Sequence, residues 1–97
     1  MRYTQDIIWQ VWAKAAVIGA KDPTLWRKDE CGAWIFRSDY ENKDSEYGWV
    51  IGHIVESFDD TNILANLKPL HWINGLRLIN VGSKHSATSD GTHNLFS

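Results

Sequence analysis

The sequence is poor in the residues that staple or break small folds: one cysteine, two prolines and one methionine among 97 residues. A lone Cys31 excludes an internal disulfide and a cysteine-based zinc site. A single thiol suits a reducing compartment, so a cytoplasmic protein is expected. No apolar run approaches the roughly 20 residues needed to cross a bilayer. The first residues lack the apolar core of a secretory signal, so no membrane partner is expected. An excess of positive charge is also missing. Ten Lys and Arg face 12 Asp and Glu, a formal net charge of −2, and no overall basic field draws the chain to nucleic acid. There is no internal repeat.

Tryptophan, by contrast, is abundant, at six residues. A chain this short buries only a modest core, and each tryptophan adds a large area to it. Ile7, Ile8, Val11, Trp12, Ala15 and Ile18 recur at helical spacing, which predicts an amphipathic helix from Thr4 to Ile18. Thr4 suits its N-cap, Asp6 its first turn and Gly19 its stop. Trp26 to Asp29 reads as a polar connector. Ala33–Phe36 and Trp49–Val55 are rich in strand formers and suggest an antiparallel hairpin joined by the polar loop from Arg37 to Tyr47. Gly52 inside the second run suggests a bulge or a close backbone approach. Glu56 to Asn62 is an acidic turn, Leu64 to Leu70 is apolar, and His71 to Ile79 fits a short helix. From Val81 onward small polar residues predominate. That segment is expected to be flexible, with an anchor at Leu95 and Phe96.

Three stretches carry a more specific pattern. They are Trp26-Arg27-Lys28-Asp29-Glu30-Cys31-Gly32-Ala33-Trp34-Ile35, Gly48-Trp49-Val50-Ile51-Gly52-His53-Ile54 and Asn66-Leu67-Lys68-Pro69-Leu70-His71-Trp72. In this order and spacing, between about Val11 and Asn80, they resemble the HNH (ββα-metal) endonucleases. The resemblance implies an α+β fold with an N-terminal helix, a β-hairpin and a short C-terminal helix. Residues 1–82 would form one HNH-like domain and residues 83–97 a flexible tail.

In such nucleases a histidine at a strand end activates water, and a divalent metal stabilises charge on the scissile phosphate. By resemblance, His53 matches the general base and Asn66 the asparagine that braces the loop. Gly52 stands where the family usually has a metal-binding aspartate. On the helix, Trp72-Ile73-Asn74-Gly75-Leu76-Arg77-Leu78 replaces a Trp-x-Asn-Asn-Arg pattern followed by lysine. Asn74 is thus retained, Gly75 occupies the metal-facing position, and Leu76 and Leu78 replace basic residues. Glu56 adds a negative charge where proline is common. Both protein metal ligands are gone, while the frame of Trp12, Trp26, Trp34, Trp49, Leu67, Leu70 and Trp72 remains. Random decay would damage core and site alike.

The expectation is therefore a catalytically degenerate HNH-like binding module with no cofactor. Leu76, Leu78 and Arg77 would contribute to a surface for a protein partner, and an inhibitor of a nuclease-based defence system, such as an anti-CRISPR, is one concrete version. DNA binding would be weakened. The alternative is an active endonuclease using Mg²⁺, Mn²⁺, Ni²⁺ or Zn²⁺, with ligands recruited from Asp59, Asp60, Asn74 or a histidine. His53 accordingly has three readings: a working base, a residual cleft histidine, or a ligand of a rebuilt metal site. His71 is expected to be structural beside Trp72, and Cys31 a small buried residue. His85 and His93 lie in the tail, with no spacing that marks a metal site. Asn74, one helical position away from Gly75, should point elsewhere. Lys21, Arg27, Lys28, Arg37 and Lys43 form either solvated surface or a basic face for non-cleaving DNA binding.

Overall fold

A computed structural model describes residues 3–54, 64–79, 87–89 and 93–96, with the side chains of residues 77–79 outside that description. It is a small α+β domain: an N-terminal helix α1 (Gln5–Trp12), antiparallel strands and a C-terminal helix α2 (Trp72–Ile79). The strands are β1 (Ala16–Val17), β2 (Trp26–Lys28), β3 (Trp34–Phe36), β4 (Trp49–His53), β5 (Leu67–His71), β6 (Ala87–Ser89) and β7 (Asn94–Phe96). They form three sheets, ordered β1-β2-β3, β4-β5 and β6-β7.

The first helix begins where expected, with the Thr4 hydroxyl accepting the Ile7 N–H. It ends six residues early, at Trp12 rather than Ile18. Lys14 and Ala15 donate to carbonyls three residues back, which tightens the last turn. The Arg27 guanidinium then captures the carbonyls of Ala13 and Ala15, and Ala16–Val17 pair with Lys28 and Arg27. The helical spacing of Ala15 and Ile18 is overridden by these long-range bonds. The segment expected as a connector, Trp26 to Asp29, supplies the central strand of that sheet.

The expected hairpin is also re-paired. β3 runs against β2, with Arg27 opposite Ile35, and β4 runs against β5, with Val50 opposite Leu70. Gly52 sits opposite Lys68 in an uninterrupted one-to-one register, so β4 carries no bulge. Pro69, which has no N–H to give a ladder, is tolerated in this two-stranded sheet. Helix α2 follows directly and starts within one residue of expectation. Its first turn is held by the Trp72 N–H on the Gly48 carbonyl and the Ile73 N–H on His71 Nδ1.

Trp49 centres the core, fully buried with Val11, Ile35 and Leu67. Its ring lies 5.3 Å from Trp12 and 4.8 Å from Tyr40. Its indole N–H donates to the Arg37 carbonyl, tying the 37–47 loop over the core. Glycine is required at position 48, because a Cβ there would lie 1.8 Å from the Asn42 carbonyl oxygen. A second aromatic group gathers Trp34, Phe36 and Tyr47 around the half-buried Trp26.

Apart from the bend at His93, the described parts of the expected flexible tail are strands. β6 and β7 pair antiparallel; Asn94 and Ala87 are buried, and Phe96, about half exposed like Leu95, packs its ring 5.5 Å from that of His71. The Asn94 amide brackets the backbone of Trp34, accepting its N–H at 2.6 Å and donating to its carbonyl at 2.9 Å. A third bond runs to the Glu46 carbonyl.

Candidate functional site

The β4–β5 pairing brings His53 and Asn66 to one end of the hairpin. His53 lies opposite Leu67, and the Ile54 N–H donates to the Asn66 carbonyl at 2.8 Å. Both residues are half-buried. Gly52 precedes His53 on the strand and contributes no side chain. Gly75 is buried on α2, where a Cβ would lie 2.7 Å from Val50 Cγ2. The backbone at position 75 is therefore packed directly on β4, and Val50 fills the space a larger residue would need. Among the described residues no three His, Cys, Asp or Glu side chains converge as metal ligands. Two glycines and an obstructing valine do not suit a divalent cation.

The other expected site residues divide clearly. Leu76 is half-buried on α2. The side chains of Arg77 and Leu78 lie outside the described residues, as do Asp59, Asp60 and His85. His93 is exposed. Cys31 is exposed rather than buried, because the Asp29 carboxylate holds its N–H in the turn after β2 and leaves the thiol at the tip. Three of the five basic residues are engaged within the fold. Arg27 is held by the carbonyls of Pro23, Ala13 and Ala15, Arg37 lies 4.5 Å over the Trp9 ring, and Lys21 lies 5.8 Å over Trp34.

A buried polar network, absent from the sequence reading, holds these parts together. Asp29 is only 4 % exposed. Its Oδ1 accepts the N–H groups of Cys31 and Ala33. Its Oδ2 accepts the His71 N–H at 2.9 Å and an Asn74 amide N–H at 2.7 Å. Asn74 turns away from Gly75's packing face, as its helical position implied, and exchanges two bonds with the backbone of Ala87. One carboxylate thus joins the β2–β3 turn, the β5–α2 junction and, through Asn74, the last strands. The one sequence sign was turn chemistry: an aspartate three residues before a glycine, where such side chains bond nearby backbone N–H groups.

His71 is structural, as expected. Its ring is stacked beside Trp72 at 5.8 Å. Nδ1 accepts from Ile73, so Nε2 carries the proton and donates to the Glu46 carbonyl at 2.6 Å. Burial holds its pKa below the ordinary 6.5, against the opposing pull of Glu46 and Asp29. The unfolded chain therefore binds the proton more readily. The stability associated with neutral His71 is complete above pH 6.5 and is lost as pH falls through 6.5 toward the depressed folded value. Urea midpoints measured between pH 7.5 and 5.5 should fall for the natural chain. The His71→Gln variant should show a flatter slope, and an unchanged slope would refute this role.

Comparison with family models, curated proteins and solved structures gives no match for this chain.

Proposed function

We propose that this chain is a catalytically degenerate HNH-like protein that acts as a binding module for a protein partner. The observation that carries the reading is the β4–β5–α2 succession with His53 and Asn66 at one hairpin end and glycine at both positions expected to hold the metal. A strand, a strand and a helix are also the ingredients of a ββα unit, here with β5 rather than β3 as the partner of β4. A histidine base without a metal or an activated phosphate has little to act upon. Gly75 deepens the loss, since Val50 stands where a ligand side chain would begin.

The partner-facing surface would include Leu76, with Arg77 and Leu78 following it along α2. A net charge of −2 and the intramolecular engagement of Arg27 and Arg37 favour protein over DNA. Inhibition of a nuclease-based defence system in the cytoplasm is the concrete version of this role. Among the described residues no helix is long and apolar enough to cross a membrane.

A second reading, an active metal-dependent endonuclease, draws on the same convergence of His53 and Asn66. Plasmid nicking with Mg²⁺, Mn²⁺, Ni²⁺ or Zn²⁺ separates the two. The expected result is no cutting by folded protein above the level of His53→Ala. Metal-dependent cutting that disappears in His53→Ala would overturn the binding-module reading. Binding to plasmid at low salt should also be weak, since phosphate contacts dominate such affinity.

A further inference from the structure

A cleft of about 450 Å³ opens where the exit of α1, the end of β2 and the His53–Leu67 end of the β4–β5 pair meet. Its apolar lining includes Ala15, Leu67 and Pro69, all buried, and the largely exposed Ile54. Three lysines also line it: Lys14, Lys28 and Lys68. Their circumstances differ. Lys14 Nζ donates to the backbone carbonyls of Leu64 and Leu67. Lys68 is paired with Glu30. Lys28 is half-buried, and among the described residues no ion pair or hydrogen bond engages its ammonium. Asp29 borders the cleft, but both its oxygens accept N–H groups from within the fold. Among the described residues neither Lys14 nor Lys28 has a carboxylate partner, and Lys28 alone brings an ammonium with no bond to the apolar floor, in a chain that is acidic overall.

We propose that this cleft binds a small organic monoanion, a carboxylate on a short hydrocarbon body, with Lys28 as its counter-charge. A single available ammonium matches one negative charge, whereas a phosphate dianion calls for several donors. Pro69, Leu67 and Ile54 provide the apolar contact that a hydrocarbon body needs. A ligand here touches the α1 exit, β2 and β5 together, so it stabilises the folded chain by mass action. Neither the cleft nor its charge depends on the HNH resemblance.

The test is a titration of the full chain with hexanoate, followed by backbone amide shifts and by melting temperature. Saturable shifts are expected at residues 14–16, 28–30 and 67–68, with a rise in melting temperature. Loss of a charge-assisted contact in Lys28→Gln should weaken binding about tenfold or more. Lys28→Arg should retain binding, and Lys43→Gln, in the exposed 37–47 loop, should bind as the natural chain does. Acetate lacks the apolar body and hexan-1-ol lacks the charge, so each should bind at least about tenfold more weakly than hexanoate. Non-saturating hexanoate shifts, equal binding by hexan-1-ol or by inorganic phosphate, or undiminished binding in a folded Lys28→Gln would overturn the proposal.

Discussion

Asp29→Ala should lower stability more than any other single substitution of a polar residue in this chain. The carboxylate accepts four N–H groups, and those of Ala33 and His71 lie where water cannot easily replace it. A buried donor left without a partner costs roughly 1–3 kcal/mol, so the total loss is about 4 kcal/mol or more. That is a large part of the roughly 5–15 kcal/mol that holds a typical domain together. For a chain of this length it corresponds to a drop in melting temperature of about 15–30 °C. Asp29→Asn discriminates charge and acceptor geometry from side-chain volume. It keeps one oxygen for Cys31 and Ala33 but places an NH₂ against the donors of His71 and Asn74. Thermal and urea denaturation should find Asn nearly as damaging as Ala. A stability within about 1 kcal/mol of the natural chain for Asp29→Asn would show that the four bonds are not what holds this junction.

Ending the chain after residue 86 should be nearly as damaging, although the deleted segment reads as a polar tail. Its removal takes away Asn94, which satisfies both backbone groups of Trp34, and Ala87, whose N–H and carbonyl complete the Asn74 amide. Stability should fall by about 3 kcal/mol or more through these buried unpaired groups. Asn94→Ala alone should account for a large share, whereas Leu95→Ser and Phe96→Ser, at half-exposed positions, should each cost less than Asn94→Ala. Urea melts of the four variants give the ranking directly. A truncated chain as stable as the full one would mean that β6 and β7 rest on the fold without supporting it.

Both expectations concern residues whose importance does not appear in hydrophobic pattern. Asp29 and Asn94 are polar, stand in turn-like surroundings and carry no periodic signal. Their effect comes from partners 42 and 60 positions away in the chain. The same separation explains the hairpin that was paired wrongly from sequence. Ala33–Phe36 and Trp49–Val55 are the two clearest strand formers, but they pair with β2 and β5 and not with each other. One of those partners contains two cations and the other a proline, features that disguise a strand.

Local chemistry determined a good deal on its own. The Thr4 cap, the start of α1, the strand character of Trp34–Phe36 and Trp49–His53, the helix after His71 and the central place of Trp12 and Trp49 are all legible in residue type and spacing. So is the structural role of His71, whereas His53, Asn66, Gly52 and Gly75 are marked as candidates by the family resemblance and not by local chemistry. Tertiary structure alone decided which strands pair, where α1 stops, that Cys31 is exposed, that Asp29 joins three segments, and that Lys28 lines an apolar cleft with no counter-charge among the described residues. The reason is physical: caps and periodicity act within a few residues, whereas burial of a carboxylate or capture of a carbonyl by Arg27 depends on groups that only folding brings together.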